Sequence, residues 1–423
     1  MFVFIVFIGF VVADNDGPWS IIGLSGYSGQ IVVNETSGSF LFYWLFYSIG
    51  GNIETDTRPI ILWLDGGPGC SGEGGMICER ISPLYINNTL DPVYTRTTWA
   101  QNFHLLTVDF PYNTGFSVAE SENDLQNTTS GASAYLYTFL QILNKKYPTW
   151  FKRDLYIFGE SYGGHWVPGA AYKIIMENKS INITNNSYLR LKGIGMQDPL
   201  CDTYYQSQYY DFVGYSLGII NNQQKSIIRH LQSQEFLSIQ RGNFAQANIY
   251  QEFILSNLTT FAESVSIYDV RTSTDSDLGG CEEWLNLNST KNLIHAPDIQ
   301  WSFCNNDVYN AFSADITSGA ITAMMPTILE NAKVLIWNGQ DDVIVNTVGL
   351  ENFLSGVQWQ YMPNFLRSRK AVWKVQGNIA GYAQSYSNMT FVALLKAGHM
   401  GNLNQPVAIS DMVNRFIFNQ GWN

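Results

Sequence analysis

The chain has 423 residues, of which 46% are hydrophobic and 14% aromatic, which is ample for a large buried core. Its formal net charge is −12, with only 23 Lys and Arg side chains, so no nucleic-acid partner is expected. A charged fraction of only 14% beside this aromatic content also excludes an intrinsically disordered protein.

An apolar segment at residues 1–13 opens the chain and is followed by polar residues. An apolar run that ends in small residues is typical of a secretory signal peptide, with cleavage expected near Ala13. The alternative is a buried N-terminal strand, because the segment carries no positive charge. No later uncharged apolar run is long enough to span a bilayer, so no stable membrane insertion is expected.

Sequons and cysteines fit a secretory, oxidising compartment. Nine Asn-x-Ser/Thr sequons predict a glycoprotein with an exposed loop over residues 178–187. They begin at Asn34, Asn87, Asn127, Asn178, Asn182, Asn185, Asn257, Asn288 and Asn388. Five cysteines without a CxxC pair do not suit a zinc knuckle, and they predict two disulfides and one leftover thiol.

In chain order, apolar strand-like runs alternate with helical stretches. The predicted strands lie at 40–48, 60–65, 104–110, 154–159, 188–195, 333–339 and 390–398. The predicted helices lie at 130–147, from after Ser161 to about Glu177, and at 406–418. This alternation predicts the α/β class, with a mostly parallel central sheet flanked by helices on both faces.

The middle of the chain, from about residue 203 to about residue 325, differs in composition from the rest. It is rich in Gln, Asn and Ser, has helical stretches such as 221–234, and shows few strand signals. We interpret this part as a largely helical insertion, or cap, on a single domain that spans residues 14–423.

The stretch FGESYGG, residues 158–164, places Ser161 at the centre of a Gly-x-Ser-x-Gly pentapeptide between a predicted strand and a predicted helix. A serine on a sharp strand-to-helix turn needs small neighbours two positions away, here Gly159 and Gly163. The pentapeptide alone also fits a plain glycine-rich turn, so other residues must decide whether Ser161 is a nucleophile.

A nucleophilic serine needs a base and an acid, which follow in the chain order Ser, Asp, His in this type of turn. His399 is the best base, because it begins the loop after the predicted strand at 390–398. Asp341 and Asp342 both follow the strand at 333–339, and the pattern does not choose between them. The histidines that suit the role less well are His104, His165, His230 and His295.

The negative charge that develops on a substrate oxygen needs two backbone N–H donors. One is expected from Tyr162, the residue after the serine. The other is expected from the loop within 62–72, where Gly66 and Gly67 allow the backbone to approach a substrate closely.

Four segments, ILWLDGGPGCSG, FGESYGGHWVP, NGQDDVIVN and AGHM…QP, occur in one order and spacing. They resemble the serine carboxypeptidases, over nearly the whole chain after residue 13, and residues 39–48 and 105–118 agree as well. The sequence is most similar to the vitellogenic-like branch, which shares the NGQ-x-D-x-I-V pattern and an LCD segment. The resemblance implies an α/β-hydrolase fold and an enzyme that releases C-terminal amino acids from peptides or proteins with a free C-terminus.

Position by position, the resemblance implies a role for individual residues. It implies a triad of Ser161, Asp342 and His399, with an oxyanion hole formed by Gly67 and Tyr162. The implied substrate-binding residues are Asp65 and Glu160 for the terminal carboxylate, with Cys78, Glu79 and Met400 near the leaving amino acid. The implied disulfides are Cys70–Cys304 and Cys201–Cys281, which leaves Cys78 free.

The sequence departs from the family pattern at three places. Asp65 stands where the family has Asn, the loop after His399 reads MGNLNQP, and Cys78 replaces what is often a large apolar residue. Asp65 and Glu160 could not both stay ionised beside a substrate carboxylate, because like charges at short range raise a pKa. We therefore expect peptide binding to shift toward acidic pH, and we expect Cys78 to widen or chemically expose the pocket.

Two other functions remain open from the sequence alone. One is an acyltransferase or esterase on the same scaffold, and the other is a secreted homologue without activity. Glu160 beside Ser161 favours the peptidase. No cofactor and no metal are expected, a homodimer is left open, and the expected location is the secretory pathway, in a lysosome- or vacuole-like compartment or outside the cell.

Overall fold

The computed structural model describes residues 14–273 and 277–422, so the predicted signal peptide at 1–13 lies outside the described residues. The strands are β1 (Asn15–Ile21), β2 (Leu24–Asn34), β3 (Ser39–Phe46), β4 (Ile60–Leu64), β5 (Leu84–Ile86), β6 (Pro92–Tyr94), β7 (His104–Val108), β8 (Leu155–Glu160), β9 (Leu191–Gln197), β10 (Lys333–Gly339), β11 (Lys370–Val375), β12 (Asn378–Tyr386) and β13 (Met389–Leu394).

The α-helices are α1 (Thr129–Lys146), α2 (Gly163–Asn178), α3 (Thr203–Gln206), α4 (Tyr210–Ser216), α5 (Asn222–Gln240), α6 (Phe244–Phe261), α7 (Cys281–Leu285), α8 (Asn288–Leu293), α9 (Asn306–Ala311), α10 (Ala320–Asn331), α11 (Thr347–Gly356), α12 (Met362–Arg367), α13 (Gly401–Asn404) and α14 (Pro406–Ile417). Short 3₁₀ or π turns lie at Gly74–Cys78, Trp99–Gln101, Glu122–Asp124, Trp150–Lys152 and Ser207–Tyr209. None of these helices is long and apolar enough to cross a lipid bilayer, within the part of the chain that the structure describes.

Eleven of the described strands form one sheet, in the order β1-β2-β3-β7-β4-β8-β9-β10-β13-β12-β11. The strands from β7 to β13 in this order are parallel, and antiparallel strands extend both edges. Strands β4 and β8 are buried along their whole length, which is typical of parallel strands covered on both faces. The predicted α/β class with a parallel centre is confirmed, and the sheet as a whole is mixed.

The predicted helices at 130–147 and 406–418 correspond to α1 and α14 within one residue at each end. Thr128 caps α1 by accepting a hydrogen bond from the amide of Gly131, and the apolar spacing of α1 faces the sheet. The outer strands β11 and β12 were not predicted, because their mixture of exposed and buried residues forms no continuous apolar run.

Alternate residues of β3 belong to two separate apolar clusters, one on each face of the sheet. The cap segment, residues 203–325, follows β9 and contains helices but no strand among its described residues. A third, smaller apolar cluster around Ile228, Ile254 and Leu258 fills the cap and includes Val343 from the loop after β10. The cap therefore packs against the loop that carries both candidate acids.

Candidate active site

Ser161 occupies a strained turn between β8 and α2. Its φ is +57°, in the left-handed region that side-chain-bearing residues rarely adopt. A Cβ added at Gly159 would lie 2.3 Å from the carbonyl oxygen of Leu64, and one at Gly66 would lie 2.7 Å from Ser161 Cβ. The glycines around the serine are thus required sterically, and the turn has the strand-to-helix form in which a serine becomes an exposed nucleophile.

His399 and Asp342 form a buried acid–base pair. His399 Nδ1 lies 2.7 Å from Asp342 Oδ2, and both side chains are at most 3% exposed. Asp341, which the residue pattern alone left equally eligible, has its carboxylate 3.2 Å from Arg271 Nε instead. The structure therefore places Asp342 beside the histidine and Asp341 in an ion pair nearer the surface.

Ser161 and His399 line one cavity. The described side chains show no hydrogen bond between these two residues, and Nε2 of His399 is left for the serine because Nδ1 is bound to Asp342. Burial lowers the pKa of His399, although the charges of Asp198 and Asp65 oppose this shift. A lowered pKa keeps the imidazole neutral, which is the form that accepts a proton.

Backbone hydrogen bonds join the loops after β10 and β13 to the cap. The amide of His399 donates to the carbonyl of Tyr268 at 2.8 Å, and the amide of Val343 donates to the carbonyl of Ile267 at 3.0 Å. The Tyr268 ring also packs edge-on against the His399 ring, with centroids 5.3 Å apart. One cap segment, residues 266–272, therefore holds both loops.

Gly67 and Tyr162 have amides that could receive a substrate oxygen. Neither amide donates to another group among the described residues. Gly67 has a φ of +98°, which glycine tolerates without steric cost. Tyr162 directly follows Ser161 and is anchored through its hydroxyl, which donates to Asp315 of the cap at 2.8 Å. Two unused amides beside a serine are what an oxyanion hole needs.

Asp65, Glu79 and Glu160 form a group of buried carboxyls in the same cavity, called here the acid cluster. Asp65 is held by backbone donors: Oδ1 accepts from the amide of Gly66 at 2.8 Å, and Oδ2 accepts from the amide of Gly75 at 2.7 Å. Asp65 therefore faces its own loop as well as the cavity.

Burial raises the pKa of every carboxyl in the acid cluster. The pKa of Glu79 rises to about 8, with the charge of Asp65 as the second cause. The pKa of Glu160 is held well above its usual value by burial and then by the charges of Glu79 and Asp65. Burial also raises the pKa of Asp65, although the backbone donors oppose the shift. The cluster therefore retains protons at pH values where exposed carboxyls are ionised.

Gln197 supports the site and was missed by the sequence reasoning. This last residue of β9 donates Nε2 to the Glu160 carboxyl and to the carbonyl of His399, the latter at 3.1 Å. Its Oε1 accepts from Trp337 Nε1, also at 3.1 Å. The signal that could have found it is its place at the carboxyl end of a central parallel strand, where ligands of α/β sheets bind.

The disulfides depart in part from the pairing that the resemblance implied. The structure contains Cys70–Cys304, but it joins Cys78 to Cys281 and leaves Cys201 as a buried free thiol. The expected Cys201–Cys281 pair was wrong, because Cys201 packs in the apolar cluster on the opposite face of the sheet from Cys281. Cys78 is consequently neither free nor part of the cavity wall, and its expected role in the pocket is corrected.

The cavity has a volume of about 330 Å³. Its described lining combines the catalytic candidates, the acid cluster and cap residues: Asp65, Gly66, Gly67, Cys70, Glu79, Glu160, Ser161, Ser266, Tyr268, Asp269, Thr272, Leu278, Phe303, Cys304, His399, Met400 and Asn404. Met400 and Glu79 thus both line the cavity that Ser161 lines.

A cation could be held only by one group of His, Cys, Asp and Glu side chains among the described residues. Asp198, Asp342 and His399 have ligand atoms that all lie within 4.8 Å of one another. The hydrogen bond between His399 and Asp342 already occupies one atom of each, so the geometry favours acid–base chemistry at this place.

Comparisons with known proteins agree with this geometry. The family model described as serine carboxypeptidase matches residues 18–419. Serine carboxypeptidase S10 family member 1 of Dictyostelium discoideum is 33% identical over 427 residues, covering 99% of both chains. The probable serine carboxypeptidase CPVL of the same organism is 32% identical over 402 residues, covering 93% of this chain and 79% of that protein.

Among solved structures, the chain is similar to a prohormone-processing carboxypeptidase of Saccharomyces cerevisiae, Kex1(delta)p. The TM-score is 0.83 with 20% identity, and the match covers 94% of this chain and 92% of that one. At this identity the similarity supports the fold.

The fold defines an α/β-hydrolase, and the serine at its elbow places it among the serine hydrolases. The chain belongs to the serine carboxypeptidase family, as the family model and the Dictyostelium relatives show. The predicted family, fold and enzyme class are confirmed, and the protein is a serine carboxypeptidase.

Proposed function

We propose that this enzyme releases C-terminal amino acids through an acyl-enzyme on Ser161 and that it favours acidic pH. The observation that carries the proposal is the 2.7 Å contact between His399 Nδ1 and Asp342 Oδ2, at the wall of the cavity that Ser161 also lines. Asp342 orients the ring and fixes its tautomer, so that Nε2 can accept the serine proton.

The reaction has two steps, the acylation of Ser161 and the hydrolysis of the acyl-enzyme. Ser161 attacks the last peptide carbonyl while His399 takes the hydroxyl proton, and the oxyanion is stabilised by the amides of Gly67 and Tyr162. His399 then gives the proton to the nitrogen of the departing amino acid. A water molecule, deprotonated by His399, hydrolyses the ester and restores the free serine.

The terminal carboxylate of the substrate binds at the acid cluster. Within the described part of the chain no Lys or Arg lines the cavity, so the carboxylate meets no cation there. Protonated Glu79 and Glu160 can donate hydrogen bonds to it, whereas their ionised forms would repel it. Binding therefore strengthens as the pH falls, and the lowered pKa of His399 keeps the base neutral at lower pH than usual.

A single catalytic domain over residues 14–423, with the cap at about 203–325, performs this reaction on peptides or proteins. Two disulfides fit an oxidising compartment, either a lysosome- or vacuole-like organelle or the outside of the cell. A homodimer is a further hypothesis, and light scattering after size-exclusion chromatography of the purified protein tests it.

The proposed reaction is tested with N-blocked dipeptides and matching esters, from about pH 4.5 to about pH 7, on the wild type and Ser161→Ala. We expect amino-acid release from the dipeptides and a loss of at least about 1,000-fold in kcat for the variant. Ser355→Ala is the matched control, because this exposed residue lies near the end of α11 and, among the described residues, its hydroxyl donates only to the carbonyl of Asn352.

Each outcome of this assay has a definite meaning. Turnover of esters without turnover of peptides indicates an esterase or acyltransferase, and no turnover of either indicates an inactive homologue. Activity that survives Ser161→Ala refutes the assigned nucleophile.

A further inference from the structure

Asp198 follows β9 directly and is completely buried beside the acid–base pair. Its φ is +41°, and its amide donates to the carbonyl of Trp337 at 2.8 Å. Its Oδ1 accepts from the amide of Gly339 at 2.8 Å and from Asn338 Nδ2 at 2.5 Å. This carboxyl is thus held rigidly from one side by β10, the strand that leads to Asp342.

The other oxygen, Asp198 Oδ2, is buried and receives no hydrogen bond among the described residues. Asp198 has a carboxylate oxygen within 4.8 Å of the ligand atoms of both Asp342 and His399. Two adjacent carboxylates at 0% and 1% exposure cannot both carry a negative charge, because neither is solvated. One proton must therefore be shared by the two acids.

The hydrogen bonds decide where that proton resides. Asp342 accepts from His399 Nδ1 at 2.7 Å and from the amide of Val345 at 3.2 Å, so both of its oxygens already receive donors that favour the anion. Asp198 Oδ2 receives no hydrogen bond from any described residue, and a proton on that atom lets it donate one to Asp342.

We propose that Asp198 is a neutral carboxylic acid whose Oδ2–H donates a hydrogen bond to Asp342, and that it thereby positions the acid that orients His399. Asp342 remains the anion, so the pair carries one negative charge. The inference rests on the proposed function, because it concerns the orientation of the base in that reaction. Asp198 does not line the cavity and has no direct contact with substrate in this scheme.

The charged surroundings agree with this assignment. Burial is the largest cause that raises the pKa of Asp198, and the charge of Asp342 raises it further, while His399 opposes the shift. Glu160 at the end of β8 interacts electrostatically with Asp198 as well. The groups that face Asp198 from β8, β10 and β13 are thus two acids and one histidine.

The proposal is tested by comparing kcat for Asp198→Asn and Asp198→Ala with the wild type. Asn presents Nδ2 to Asp342 and Oδ1 to Gly339, as the neutral acid does, so we expect kcat within about threefold of the wild type. Ala removes the donor, so we expect kcat to fall about 10- to 100-fold with KM nearly unchanged.

The pH dependence of kcat supplies a readout that a purely structural role would not move. In the wild type, kcat falls at alkaline pH when Asp198 loses its proton and two carboxylates face each other. The side chain of Asp198→Asn cannot ionise. The fall of kcat at alkaline pH, called here the alkaline limit, should therefore disappear in this variant or move up by at least about one pH unit. Glu235→Gln, which alters a buried acid in the cap, is the matched control and should keep the wild-type profile.

The proposal is overturned if Asp198→Asn loses as much kcat as Asp198→Ala, or if its alkaline limit stays at the wild-type pH. If Asp198→Ala does not fold, the pH profile of Asp198→Asn alone decides. The proposed function fails by a different result, namely activity that survives Ser161→Ala, so the two failures are distinguishable.

Discussion

The acid cluster lines the cavity of Ser161, whereas Asp315 lies behind Tyr162, and the pKa values of these buried carboxyls are shifted in opposite directions. In the acid cluster, burial raises the pKa values of Asp65, Glu79 and Glu160. Asp315 of the cap is also buried, yet its pKa is lowered. Burial alone therefore does not decide the charge of a carboxyl in this protein.

The difference lies in the donors around each group. Burial pushes the pKa of Asp315 upward, but hydrogen bonds from His165, Thr129 and Tyr162 outweigh it. The amide of Thr129 lies 3.0 Å from Asp315, and the Tyr162 hydroxyl lies 2.8 Å from it. Asp315 is thus held as an anion beside Tyr162, the proposed oxyanion-hole residue, whereas burial favours the protonated forms of Glu79 and Glu160 in the acid cluster.

The largest expected effect comes from removing the anchoring anion. Asp315→Ala leaves His165 and the Tyr162 hydroxyl buried without their acceptor, so we expect the free energy of unfolding to fall by about 3–5 kcal/mol. Denaturant unfolding measures this change. Asp315→Asn, which keeps one acceptor oxygen, should lose less. Equal free energies of unfolding for the wild type and Asp315→Ala would show that the stability of the cap does not depend on these hydrogen bonds.

Removing a carboxyl from the acid cluster should impair binding and leave folding largely intact. For Glu160→Ala we expect the KM of blocked dipeptides to rise about 10- to 100-fold, because a hydrogen bond to the terminal carboxylate is lost. Esters without a free carboxylate should keep their KM. Glu177→Ala, which removes a partly exposed acid of α2 that pairs with Lys173, is the control. A parallel rise for both substrate types would contradict carboxylate recognition by Glu160.

The pH dependence of KM should report the proton on Glu79. Its pKa is raised to about 8, so the neutral form that donates a hydrogen bond to the substrate carboxylate is present below that pH and is lost above it. We expect the KM of dipeptides to rise about tenfold between about pH 7 and about pH 9 in the wild type, and to stay flatter in Glu79→Gln. Steady-state kinetics across this pH range measure the KM of both proteins. An identical rise of KM in both would show that Glu79 does not bind the substrate carboxylate.

The smallest expected effect belongs to Asp65. Both oxygens of its carboxyl already accept hydrogen bonds from the amides of Gly66 and Gly75. Asp65 therefore acts on a bound substrate through its negative charge more than through a direct hydrogen bond. Asp65→Asn removes that charge, and we expect the KM of dipeptides near pH 7 to fall about threefold, with less effect at acidic pH. An unchanged KM profile across pH would show that Asp65 does not cause the preference for acidic pH.

Much of the site followed from the sequence, because its chemistry is carried by local patterns. The turn at Ser161 needs glycines at fixed positions, and the strand ends at Asp342 and His399 lie on one edge of a parallel sheet. These features depend on neighbours in the chain, and the family resemblance covered the same segments.

The residue pattern alone could not predict features that depend on which face of the sheet a residue occupies, and only the family resemblance favoured Asp342 over Asp341. Asp341 and Asp342 differ only in direction, and Cys201 and Cys78 differ in which apolar cluster encloses them. Gln197 and Asp198 lie beyond the predicted strand at 188–195, and their partners come from β8, β10 and the loop after β13, at distant positions in the chain.

The backbone hydrogen bonds from His399 and Val343 to residues 266–272 restrict how the substrate preference of this enzyme can be redesigned. The same segment supplies Tyr268 and Asp269 to the cavity wall. An insertion or deletion there would therefore reshape the pocket and displace His399 at the same time. Engineering for a new C-terminal residue should keep this backbone and exchange side chains elsewhere in the wall, such as Leu278 or Phe303.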